Sequence, residues 1–156
     1  MQFIPETIID QQYSQIAKDE KRTAAIQSLK AQQPAILAYL FSESFELLTQ
    51  NEKEYTMFLV LVVWASISEV HPEQKQIDPK MIEKAEDKNW ELLKDVKAGN
   101  FRDKLDIFFE NTSQEDLLAF VEDALVQDED EMVTKEGREY IFVALKTIID
   151  CLEAAA

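Results

Sequence analysis

The most apolar part of the chain is residues 57–65, where nine apolar residues follow one another. On an α-helix, successive residues are rotated by about 100°, so a run of this length leaves no polar side to face water. A helix of this kind must be enclosed by other elements. Glu54 and Glu69 close the run well short of the roughly 18 apolar residues that a membrane span needs. The pattern therefore predicts a fully buried central helix over about residues 52–70.

A buried β-strand is the rival interpretation of the same run, because valine-rich and aromatic stretches are also typical of strands. The residues before the run favour a helix. Asn51 is a common N-cap residue type, and Glu52 and Glu54 lie where the helix dipole favours negative charge. Only residues 140–145 resemble a strand that could pair with this one. We therefore interpret the run as helical.

The rest of the chain has apolar residues at intervals of three and four, which is the spacing of a helix with one buried face. Asp78 and Thr134 are each placed to cap a helix, and Ser113 with Asp116 resembles a capping box. The short connection near residue 50 predicts an antiparallel hairpin between the central helix and the helix before it. Besides the central helix, the predicted helices span about residues 5–18, 18–33, 34–49, 79–97, 101–109, 113–125 and 134–152.

Composition favours the same fold class. The chain has 156 residues with only two glycines and four prolines, which leaves little material for β-turns. Its length fits one domain, and no break in composition and no internal repeat divides it. The sequence therefore predicts an all-α fold in which a single domain spans residues 1–156. Six to seven mostly antiparallel helices are expected to surround the central helix.

The formal net charge of −15 disfavours nucleic acids and anionic membranes as partners, because both are bound through Lys and Arg. The single cysteine, Cys151, permits no intrachain disulfide and is compatible with a reducing compartment. The first ten residues lack the basic start and long apolar stretch of a secretory signal. A cytoplasmic location is therefore expected.

The sequence carries no readable catalytic motif. The single histidine, His71, excludes zinc-binding motifs that need two, and two glycines are too few for a phosphate-binding loop. Asp128 and Asp130 resemble the start of an EF-hand loop, but Val133 stands where that loop needs glycine. We therefore predict no catalytic residue, no metal site and no cofactor, and the balance favours a protein that is not an enzyme.

The unusual feature of the chain is its charge distribution. Residues 105–134 contain ten acidic residues and neither Lys nor Arg. Such a face can simply keep the protein soluble, or it can dock a basic partner whose association it accelerates. The candidate partner-binding residues, on the sixth predicted helix and in the loop after it, are Glu115, Glu122, Asp123, Asp128, Glu129, Asp130 and Glu131.

The main functional hypothesis is accordingly a small acidic interaction or regulatory module that binds a basic protein through residues 105–134. The alternative is an enzyme or small-molecule-binding bundle with a pocket that contains Glu43 and Glu46, near Tyr39 and Phe45. A carboxylate buried at such a position would be a site candidate. Self-association as a homodimer is a further hypothesis. A second copy could cover Tyr39, Phe41, Trp90 or the excess apolar surface of the helices over residues 34–49 and 134–152.

Overall fold

The computed structural model describes residues 1–97, 99–126 and 133–156, and this part of the chain is all-α, as predicted. Among these residues, no helix is both long enough and apolar enough to cross a membrane. A 3-10 helix, Glu43–Leu47, lies between α3 and α4. The α-helices are α1 (Glu6–Ile16), α2 (Asp19–Gln32), α3 (Pro34–Leu40), α4 (Gln50–Val70), α5 (Pro79–Lys94), α6 (Phe101–Lys104), α7 (Asp106–Glu110), α8 (Glu115–Leu125) and α9 (Lys135–Ala155).

Two long helices, α4 and α9, carry the core. Residues 59–64 of α4 are all buried, as are residues 141–149 of α9. The two helices contact each other. Further contacts join α4 to α1 and α2, and α9 to α5 and α8. The apolar run is thus enclosed through its middle, and α9 is buried over a longer stretch than α4.

The helix predicted over residues 34–49 is interrupted. It ends at Leu40, and a separate 3-10 turn follows before α4 begins. Because of this break, α3 packs mainly on α2 and α5, so the predicted hairpin with α4 is wrong. The break leaves Phe41 and Leu47 exposed, at 76 % and 74 % of their surface. The predicted fifth helix is divided in the same way, into α6 and α7 around Leu105.

Side-chain caps mark the beginnings of four helices, α4, α5, α6 and α9. Asp78 accepts a hydrogen bond from the backbone N–H of Lys80 at 2.8 Å, and Thr134 accepts one from Gly137 at 3.0 Å, which confirms both predicted caps. Asn51 is not the cap of α4. Thr49 is, and it forms a capping box with Glu52 in which each side chain accepts from the other's backbone N–H.

The predicted capping box at the start of α8 is also wrong. The residue before α8 is Gln114, and the Ser113 hydroxyl instead donates to the Glu153 carboxylate on α9. The Asp116 carboxylate accepts from the backbone N–H of Glu6 at 2.9 Å, beyond its own helix. Both side chains therefore fix α8 to other parts of the fold rather than cap it.

Two buried glutamines hold extended segments against the bundle. Gln114 accepts from the N–H of Ile4 at 3.0 Å and donates to the carbonyl of Gln2 at 3.1 Å. Gln33 makes the same pair of bonds with Ile77 and Lys75, at 2.8 and 2.9 Å. Neither glutamine has any exposed surface. Each amide thus replaces the hydrogen bonds that a neighbouring strand would supply.

We expect Gln114→Ala to lower the free energy of unfolding by about 2 kcal/mol, because it leaves buried backbone groups near Ile4 without partners. Urea denaturation followed by circular dichroism measures this loss. The control is Gln27→Ala on the exposed side of α2, which should stay within about 0.5 kcal/mol of the parent. Equal effects of the two substitutions would contradict the role assigned to Gln114.

Candidate functional site

The acidic face on α8 is partly neutralised within the protein. Arg102 of α6 lies 2.8 Å from a carboxylate oxygen of Glu122 and 3.5 Å from one of Asp123. Glu122 is only 15 % exposed, whereas Asp123 is 67 % exposed. Burial raises the pKa of Glu122, Arg102 opposes that rise, and the nearby negative charges of Asp123 and Asp106 add to it. The sequence pattern did not reveal this pairing, because Arg102 precedes the acidic region by three positions.

The remaining predicted partner-binding residues divide into two groups. Glu115 lies in the first turn of α8 and is exposed to solvent. Asp128, Glu129, Asp130 and Glu131 lie outside the residues that the structure describes. Of the predicted set, the structure therefore brings together Glu122 and Asp123 around Arg102, and it places Glu115 at the other end of the same helix.

The carboxylates proposed for the alternative site are not buried. Glu43 and Glu46 lie on the 3-10 turn, and both are exposed. Tyr39 packs edge-on against Phe45 and donates its hydroxyl to Glu86 of α5 instead. Because the chain breaks after α3, the side chains of both acids face the solvent. Neither is therefore the buried carboxylate that a site at this position would require.

A cavity of about 590 Å³ opens between α5 and α9, beside Asn111 at the end of α7. Small-molecule sites in proteins commonly have volumes of about 300–1,000 Å³, and helical bundles place them between helices. Its wall combines apolar side chains, among them Met81 and Leu92, with a group of polar ones. Its volume and its mixed wall therefore make it a candidate ligand site.

A buried polar network forms the floor of this cavity. Lys146 is 7 % exposed and forms an ion pair with Asp150, one turn further along α9. The amide of Asn89, on α5, donates to the second oxygen of Asp150 and to the hydroxyl of Thr147, both at 3.1 Å. Buried charges persist only where they are paired and hydrogen-bonded, and these contacts provide both conditions. The network fixes the polar atoms that a ligand would meet.

Two further lysines line the cavity from α5. Lys84 and Lys88 are one helical turn apart, and both are exposed. Neither forms an ion pair with any described residue. Cys151 also lines the cavity, where burial and the adjacent Asp150 raise its pKa to about 11. Its thiol is therefore protonated at neutral pH and is a poor nucleophile. The arrangement offers charge and hydrogen bonds rather than covalent chemistry.

Sequence reasoning missed this site although one signal for it was present. Lys146 and Asp150 interrupt the otherwise apolar face of the last helix at positions i and i+4. A charged pair inside a buried helix is expensive, so it marks a place where the fold needs polar groups. Lys84 and Lys88 gave no such signal, because charged residues occur all along the outer side of α5.

No protein-family model, no curated protein and no solved structure matches this chain.

Proposed function

We propose that this protein binds a small molecule in the cavity between α5 and α9. The observation that carries the proposal is the floor of the cavity, where Asn89, Lys146 and Asp150 form a hydrogen-bonded network of fixed geometry. A network held in place before a ligand arrives reduces the entropic cost of binding, because the protein's polar groups need no reordering. The apolar wall supplies contact area for the body of the ligand.

The proposal replaces the pocket that the sequence suggested at Glu43 and Glu46. It retains the idea of a small-molecule-binding helical bundle but moves the site to the cavity between α5 and α9. The new site lies between two long helices and the end of α7, whereas Glu43 and Glu46 are exposed.

Ala154→Phe tests the proposal by filling the cavity from its rim. Ala154 lines the cavity and is itself exposed, so a larger side chain there should reduce the open volume without disturbing the core. We expect a fragment library, screened by two-dimensional amide NMR, to contain compounds that change the amide chemical shifts of the lining residues at millimolar concentration. Ala154→Phe should weaken their binding at least about tenfold.

The control for this screen is Ala24→Phe on α2, because Ala24 is also exposed but is not part of the cavity wall. It should leave every affinity unchanged. Compounds that shift residues all over the surface, or that bind equally well to both variants, would show that the cavity is not a ligand site.

A second candidate function is docking of a basic protein on the acidic face. It is favoured by Asp106, Glu110 and Glu115, which are exposed and form no ion pair with any described residue. We expect a basic partner retained from native lysate at low salt to be lost when these three residues are changed to Gln. Moderate salt should also elute the partner from the unmodified protein, since salt screens the interaction between exposed charges. Retention that ignores both the substitutions and the salt would exclude electrostatic docking at this face.

A further inference from the structure

We infer that the ligand of the α5–α9 cavity is an organic anion, with one acidic head group and an apolar body. This inference rests on the proposed function, since it specifies the chemistry of the molecule that the same cavity would take. It draws on three features: the charge of the lining, the internal pairing of its single acid, and the separation of polar from apolar wall.

The charge of the cavity is opposite to that of the whole protein. Its lining contains three lysines, Lys84, Lys88 and Lys146, and one acidic residue, Asp150, which gives a formal charge of +2. The complete chain has a formal charge of −15. A positively charged concave surface within an acidic protein attracts anions and raises their local concentration.

Asp150 cannot cancel this charge toward a ligand. Its two carboxylate oxygens are already occupied, one by Lys146 and the other by the Asn89 amide. Lys146 and Asp150 therefore neutralise each other in the floor. Lys84 and Lys88 are exposed at the rim and form no ion pair with any described residue, so their charges remain available to a ligand's acidic group.

The acids of α5 are directed elsewhere. None of Glu83, Asp87 and Glu91 lines the cavity, although each is close to a rim lysine in sequence. Glu86 accepts a hydrogen bond from Tyr39 on the opposite side of the helix. The helix thus presents lysines to the cavity and carboxylates away from it, a division that would repel a cationic ligand and attract an anionic one.

The rest of the wall accepts an apolar body. Its apolar surface comes from three side chains of α5, Met81, Ala85 and Leu92, and from Ala154 of α9. Methionine adapts to irregular ligand shapes because its side chain is unbranched and flexible. The volume of about 590 Å³ suits a two-ring aromatic or a medium-length aliphatic group with a carboxylate, sulfonate or phosphate at one end.

A matched pair of fluorescent probes tests the inference. The anionic probe is 1-anilinonaphthalene-8-sulfonate, and the neutral probe is N-phenyl-1-naphthylamine, which has the same aromatic body without the sulfonate. We expect both probes to bind the folded protein with one site each, and the anionic probe to bind at least about tenfold more tightly at low salt. Ala154→Phe should weaken the binding of each probe, and Ala24→Phe should leave both affinities unchanged.

Substitutions of the rim lysines then separate the contribution of charge to probe affinity from that of apolar contact. Lys84→Gln and Lys88→Gln should each weaken the sulfonate probe about threefold to fivefold, which is the size of an exposed charge contact, and should leave the neutral probe unchanged. Lys80→Gln is the control, because Lys80 is exposed on the same helix but does not line the cavity.

The outcomes distinguish this inference from the proposed function. Equal affinity of both probes, with no response to the rim substitutions, would overturn the anionic ligand while leaving a small-molecule site intact. Binding of neither probe, or binding that Ala154→Phe does not reduce, would overturn both. Weakening by Lys80→Gln equal to that of Lys88→Gln would show a general charge effect and would also overturn the inference.

Discussion

Val62→Asp is expected to unfold the protein at neutral pH. Val62 has no exposed surface and lies within the buried stretch of α4. An aspartate there must either hold an unpaired charge in an apolar interior or take up a proton, and it also loses the burial of the valine. We expect a cost of at least about 5 kcal/mol, which is comparable to the whole stability of many domains. Circular dichroism and a thermal melt measure it.

The matched substitution is Phe58→Asp on the same helix. From the sequence alone, the two positions would be expected to behave alike, since both belong to the apolar run. The structure separates them, because Phe58 is half-buried and touches Tyr13 at the surface, with ring centres 5.3 Å apart. Phe58→Asp should therefore retain a cooperative melt at a lower temperature. A cooperative transition near the parent's for Val62→Asp would show that α4 is not part of the core.

The fold class could be predicted because it depends on features that repeat. Apolar spacing, few glycines and cap residues such as Asp78 and Thr134 each act locally, and a sequence displays local signals directly. The breaks at Phe41 and Leu105 could not be predicted in this way. Both lie inside stretches whose apolar spacing continues through the break, so the decision comes from packing against other helices.

The cavity could not be predicted because its parts are distant in the sequence. Asn89 and Asp150 are 61 positions apart, and only the packing of α5 on α9 brings them together. The acidic region was visible as a composition, yet its pairing with Arg102 also depends on tertiary contact, across 20 positions. The distribution of charged residues along the sequence therefore identifies an unusual region. It does not show which of those charges are paired within the fold and which remain available to a partner.

The second large effect is expected at Glu52, which joins the beginnings of α4 and α9. Its side chain is 1 % exposed. One oxygen accepts from the N–H of Thr49 at 2.9 Å, and the other accepts from the N–H and hydroxyl of Thr134 at 2.9 and 3.0 Å. Two helix N-termini thus share one carboxylate, and both favour its negative charge. Glu52→Gln should cost about 3 kcal/mol at pH 7, because an amide group must then face one of these donors.

The same contacts give Glu52 a defined pH dependence. Burial by itself raises its pKa, but the hydrogen bonds from Thr49 and Thr134 outweigh burial and hold the pKa below the ordinary value of 4.5. A lowered folded-state pKa contributes stability above the unfolded-state value, and that contribution is lost as the pH falls through the folded-state value. Urea denaturation measures the free energy of unfolding of the parent and of Glu52→Gln. The difference between the two values should therefore be constant near neutral pH and should decrease below about pH 4.5.

Gly137 tests the same junction from the side of α9. A Cβ atom at this position would lie 1.9 Å from a carboxylate oxygen of Glu52. In an ordinary helix, Gly→Ala stabilises by about 1 kcal/mol. Here we expect Gly137→Ala to destabilise by about 2 kcal/mol, since the carboxylate can move away only by giving up its bonds to Thr134.

Combining Gly137→Ala with Glu52→Ala decides whether that clash is the cause. With the carboxylate absent, the new methyl group meets chiefly the Thr134 hydroxyl, which would lie 2.9 Å away. The hydroxyl must still shift slightly at this distance, so Gly137→Ala should then cost less than it does in the parent, and the two substitutions should be non-additive by about 1–2 kcal/mol. Additive losses would mean that Gly137 is needed for its own backbone and not for the approach of Glu52. A carboxylate that serves two helices at once therefore explains why the glycine stands in the first turn of α9, where helix propensity alone would favour almost any other residue.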